Sequence, residues 1–138
     1  MKKLLIAVFF FVSVLYAEGF TVCKLKIDMV ERDCHTVMTA DGNRLEKISG
    51  NEYVYSKDTA YAYEATTLLY YRGRLLEWRK IVYPKTEKGA RSMVDATCIK
   101  YGDWSSYKDG AYTWRRDNQI FMIVDWGDGS YSFGVAEL

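Results

Sequence analysis

Few side chains in this sequence are spaced for bond-making chemistry. The one histidine, His35, adjoins Cys34, and side chains one residue apart diverge on a helix, so the two make no nucleophile–base pair there. No Gly-x-Ser-x-Gly elbow and no Walker-type phosphate loop is present, which removes two common routes to hydrolysis. Asp125 and Asp128 come closest to a carboxylate pair able to exchange protons with a substrate. They flank Gly127 and precede Gly129, a setting in which Asp usually serves a turn. The run Asp125 to Gly129 also lacks the spaced oxygen ligands and closing Glu of a helix–loop–helix calcium site. The chain reads as non-catalytic, with no metal site and no cofactor expected.

The three cysteines, Cys23, Cys34 and Cys98, include no Cys-x-x-Cys pair, so thioredoxin-type exchange has no motif. Three cysteines allow one disulfide and one leftover thiol. A Cys34–Cys98 bridge is one expectation. Separate buried thiols are the other, because unpaired Cys is among the most buried residue types.

Aromatic residues are the informative excess, at 16% of the chain. Beyond residue 17 there are 18 of them, 15 being Tyr or Trp. Such rings carry a polar handle and favour surfaces that bind. The pairs Tyr53/Tyr55, Tyr61/Tyr63 and Tyr112/Trp114 are two residues apart, so each pair shares one face of a strand. Candidate binding residues are Tyr61, Tyr63, Trp78, Tyr112, Trp114 and Trp126, with Arg72 and Arg74 as cations able to meet an acidic partner.

The start of the chain reads as an address. Lys2-Lys3 precedes an apolar run from Leu4 to Leu15, and Tyr16-Ala17 offers a small residue for cleavage. That is the layout of a bacterial-type signal peptide, and the run is shorter than the roughly 20 residues of a membrane span. Phe20-Thr21-Val22 before Cys23 does not suit a lipid-acceptor cysteine. The expected mature chain, 18–138, loses two lysines and no acid, so its formal charge moves from +1 to −1. Such a balance exerts no global pull on nucleic acid or anionic lipid. The 27% charged and 49% hydrophobic residues and single Pro exclude a disordered or Pro-rich chain, and the length suits one domain.

Periodicity then supplies the elements. Alternation predicts a strand over 20–27, and Asp28 with Glu31 predicts the start of a helix over 28–38. A hairpin is expected about Gly50-Asn51, and long strands over 60–71 and 74–83 joined by Arg72-Gly73. Ala90, Val94, Thr97, Cys98 and Tyr101 form one helical stripe over 86–101, closed by Gly102. Residues 103–110 read as loop, followed by strands over 111–116, 119–126 and 130–136.

Two segments echo each other. Met29 to Cys34 resembles Met93 to Cys98, and Lys57 to Tyr63 resembles Lys108 to Trp114. The echoes suggest a tandem duplication of a helix-plus-three-strand unit, with repeats about 20–83 and 84–138. The expected fold is α+β: an antiparallel sheet of six or more strands with two helices packed on one face. Tandem helix-plus-sheet units are loosely similar in layout to secreted bacterial inhibitors of β-lactamase, although the chain carries no diagnostic motif of that family.

Together these features predict a periplasmic or secreted binding module, protein-binding or inhibitory, acting through an aromatic-rich sheet face. The expected partner is a cell-envelope or extracellular protein. A cell-wall glycan is the alternative, and an unrecognised hydrolase the second alternative.

Overall fold

The computed structural model of the protein describes residues 19–86 and 89–138; the expected signal peptide lies outside them. A short hairpin, β1 (Thr21–Val22) and β2 (Leu25–Lys26), leads into helix α1 (Glu31–Ala40). Four strands follow: β3 (Arg44–Ser49), β4 (Glu52–Asp58), β5 (Ala62–Tyr71) and β6 (Arg74–Pro84). Helix α2 (Ala90–Tyr101) then precedes β7 (Ser106–Lys108), β8 (Ala111–Arg116), β9 (Gln119–Asp125) and β10 (Tyr131–Glu137). The last eight strands form one antiparallel sheet in the order β3-β4-β5-β6-β10-β9-β8-β7. No helix among the described residues is long and apolar enough to cross a membrane.

Each half of the sheet runs inward from its edge, and the halves meet where β6 pairs with β10. Each helix is followed by four strands, one more than the expected unit, because 106–108 pairs with β8 where the sequence reads as loop. The Lys57/Lys108 echo equates the β4–β5 turn with the β7–β8 turn. Counted from their edges, β5 is third and β8 second, so this echo does not register with strand order.

The expected strand over 20–27 is corrected. The chain reverses at Cys23-Lys24, pairing Thr21 with Lys26 and Val22 with Leu25. Both turn residues have positive φ, 54° and 62°. Arg72-Gly73 and Asp109-Gly110 make the same reversal with a glycine. A side chain makes that conformation unfavourable, by about 1–3 kcal/mol per residue, so the tip must be held by other contacts. Alternating polarity looks the same in one continuous strand and in a strand folded back.

Helix α1 starts three residues later than expected. Asp28 is not its cap: the Asp28 amide donates to the Leu75 carbonyl at 2.7 Å, and Val30 is the capping residue, with no side-chain bond. Glu31 and Asp33 in the first turn complement the positive helix end. The Tyr53 hydroxyl donates to the Glu31 carboxylate, and the Tyr55 hydroxyl meets His35 Nδ1 at 2.9 Å. Helix α2 keeps the expected stripe, with Ala90, Val94 and Thr97 buried. Gly102, at φ 84°, closes it, its amide donating to Cys98. Phe20 packs between Tyr101 and Phe121, with ring centroids 5.0 and 5.8 Å away.

Pairing sorts the sheet side chains into two faces. Leu68, Trp78 and Val135 are cross-strand neighbours, as are Thr66, Lys80 and Phe133, and Ile123 lies beside Phe133. All are buried. A register shift at Leu76 is decisive. Tyr71 pairs with Arg74 and Tyr70 with Leu75, but Leu69 pairs with Glu77. One residue is extruded, which lets Leu75 and Trp78 both point into the core although they are three apart.

Candidate functional site on the outer sheet face

The residues between the core positions face the other way. From β9 these are Ile120, Met122 and Val124, and from β10 Ser132, Gly134 and Ala136. From β6 they are Glu77, Arg79, Ile81 and Tyr83. A trough of about 210 Å³ runs over this surface, bordered by Glu77, Arg79, Ile120, Met122, Val124 and Ala136. Its floor is low because Gly134 has no side chain. A β-carbon there would lie 2.2 Å from the Trp78 carbonyl oxygen, so β6 and β10 approach too closely for any other residue. Arg79 is exposed and has no ion-pair partner among the described residues.

Aromatic rings gather at one end of this face. Tyr63 and Tyr83 are cross-strand partners with centroids 6.2 Å apart. Tyr61 stands in the turn before β5, 74% exposed. Trp126, in the loop after β9, is 60% exposed, and its indole N–H donates to Ser132 Oγ at 3.2 Å. That bond fixes the ring beside the outer face while leaving most of it in water. A second depression of about 300 Å³, lined by Tyr83, Pro84, Thr86, Gly89, Asp128, Gly129 and Ser130, adjoins the group.

The eight candidate binding residues separate. Tyr61, Tyr63 and Trp126 belong to this exposed group. Trp78 and Trp114 do not: they are 1% and 2% exposed, and the Trp114 indole donates to the Gly102 carbonyl at 2.9 Å. Large apolar rings at the centre of a small sheet are worth more inside than out. Tyr112 is half-buried, with Trp104 and Tyr107 at centroid distances of 5.0 and 4.6 Å, a separate cluster at the β7 edge. Arg72 and Arg74 sit at the β5–β6 turn, the far end of those strands. Arg72 lies over the Tyr71 ring, and Arg74 donates to the Asp28 carbonyl at 3.1 Å.

Tyr83, Met122 and Gly134 are members of the surface that the sequence reading missed. Tyr83 had a usable signal, an aromatic on the same strand parity as Arg79 and Ile81. Its pairing with Tyr63 depends on the extruded Leu76.

Asp125 and Asp128 take structural roles. Asp125 accepts the Gly127 amide at 2.9 Å. Asp128 accepts the Ser130 hydroxyl and amide, and these bonds hold its carboxyl below the usual carboxylate range. Both carboxylates are thus committed to the β9–β10 turn. No group of three or more His, Cys, Asp or Glu among the described residues is placed to hold a metal ion. Cys23, Cys34 and Cys98 are all free. Of the two arrangements open to Cys34 and Cys98, the structure has separate thiols.

Comparison of the chain with protein-family models, with curated proteins and with solved structures gives no match.

Proposed function

We propose that the chain is a secreted or periplasmic binding module, without catalytic activity, that holds another protein against the outer face of its sheet. Both helices lie on the opposite face in this reading, leaving the trough free. The observation that carries it is the exposed group Tyr61, Tyr63, Tyr83 and Trp126 at one end of an apolar trough. Tyr and Trp supply large contact area with little rotamer entropy to lose, and they dominate the energetics of protein interfaces. The trough is bordered by aliphatic Ile120, Met122 and Val124, which suit an apolar side chain of a partner better than sugar hydroxyls. The location follows from the reading of residues 1–17 as a signal peptide.

The test is affinity capture from a cell-envelope extract with the mature chain, repeated with Tyr83→Ala and Trp126→Ala. A protein recovered in near-stoichiometric amount and reduced at least about tenfold by either variant supports the reading. It should be unaffected by Tyr107→Ala at the β7 edge. Capture of nothing, with sedimentation on purified peptidoglycan that Trp126→Ala abolishes, transfers the face to a glycan.

A further inference from the structure

On the inner face, a thiol and an amine meet without any assigned role. The β1–β2 tip carries Cys23 on a left-handed backbone, and its sulfur accepts from Lys80 Nζ at 3.8 Å. Lys80 is 5% exposed. Its ammonium also pairs with Glu64 at 3.1 Å and lies 5.8 Å from the centroid of Phe133. Cys23 remains open to solvent, whereas Cys34 is buried. A small oxidant can therefore approach Cys23 from solvent, while the amine is held beside its sulfur by an anion able to accept its proton.

We propose that Cys23 and Lys80 are a modification site, closing under oxidation into a covalent sulfur–oxygen–nitrogen clasp that ties the hairpin tip to β6. The co-reactant is molecular oxygen. The S–H bond and two N–H bonds of the ammonium are broken, and S–O and O–N bonds form. One oxygen atom enters the bridge, the other leaves as water, and Glu64 takes the remaining proton. The four electrons gained by oxygen come from the thiol and the amine. Burial holds the Cys23 thiol above its usual range and the Lys80 ammonium opposes that shift, so the contact with Lys80 is what favours the reactive thiolate at this position, and an oxidising compartment would retain the product. The unfavourable backbone at Cys23-Lys24 fits a tip whose conformation is set by the sulfur–amine contact and not by turn propensity.

The experiment is peptide mass spectrometry of the full chain, aerated and then treated with an alkylating reagent. The expected result is a cross-linked pair of peptides containing Cys23 and Lys80, heavier than their sum by one oxygen less two hydrogens. Alkylation of Cys23 should be lost to the same extent and restored by a thiol reductant. Lys80→Arg, which keeps the charge, should remove the cross-link and leave Cys23 alkylated, and Glu64→Gln should slow its formation several-fold. Complete alkylation of Cys23 after aeration overturns the proposal. So does a pair lighter by two hydrogens with no added oxygen, or oxidation of Cys23 with Lys80 unlinked.

Discussion

On the inner face of the sheet, Trp78, Phe121, Ile123, Phe133 and Val135 are at most 5% exposed. One residue along the same strands, Glu77, Arg79, Ile120, Met122, Gly134 and Ala136 form the outer face. The same backbone thus carries two surfaces of different character. The inner one fills space with rings: Trp78 meets Phe133 edge-on at 5.8 Å, and Phe121 sits 5.6 Å from Trp114. The outer one leaves a trough and gathers its rings at one end. Inner residues are held by volume, whereas outer residues are not, and in the proposed reading they answer to a partner. A change on one face should therefore cost stability, and a change on the other should cost binding.

Truncation on the inner face gives the largest expected effect. Trp78→Ala should destabilise the chain by about 3–5 kcal/mol, read as a lowered urea midpoint. A loss below about 1 kcal/mol would break the contrast between the faces.

Gly134→Ala probes the boundary between them. The added β-carbon meets backbone atoms of Trp78 and Arg79 at 2.2 and 2.9 Å, so β6 and β10 must part. The expected loss is about 1–3 kcal/mol, again from urea unfolding, although the residue lies on the outer face.

Alkali tests the inner face by titration. Burial, with added effects of Cys34, Tyr53 and Glu31, pushes Tyr55 up to about 12. Tyr70 is driven up further, chiefly by burial. Burial alone would lower Lys80, but the charges of Cys23 and Glu64 outweigh it and hold the ammonium above its ordinary value. Each group binds its proton more tightly in the folded chain, so the native state holds more protons than the unfolded state in alkali. Their stabilisation is fully present below pH about 10 and falls as pH rises toward about 12. Tyr55 alone contributes about 2 kcal/mol of that fall. Urea midpoints at pH 8 and pH 11 should differ in that direction, and Tyr55→Phe should reduce the difference.

The smallest stability change belongs to the exposed rings. Trp126→Ala and Tyr83→Ala should alter stability by no more than about 0.5 kcal/mol while reducing partner capture. A variant that loses both stability and capture would show that these rings serve packing, and the contrast would fail.

Much of the architecture was legible because its signals are local. Alternation marked the long strands, glycine and polar pairs marked most turns, and a stripe ending at Gly102 marked α2. Of the candidate binding residues, Tyr61, Tyr63 and Trp126 are exposed, whereas Trp78 and Trp114 lie in the core. A two-residue period assigns side chains to two faces without saying which is covered. That depends on where distant segments come to rest. Phe20 packs on Phe121 across the chain, and Glu31 engages Tyr53.

The sequence by itself determined the alternating strands, the second helix with its glycine end, and the poverty of catalytic motifs, because each depends on neighbours along the chain. Tertiary structure decided that Leu76 is extruded from its register, so that Tyr63 meets Tyr83 and not Val82. It decided too that the chain folds back at Cys23-Lys24, where neither residue favours a positive φ. At the Cys23-Lys24 tip, contacts made across the fold outweigh a local preference of about 1–3 kcal/mol per residue, and in neither place does a window of sequence contain the contacts that decide.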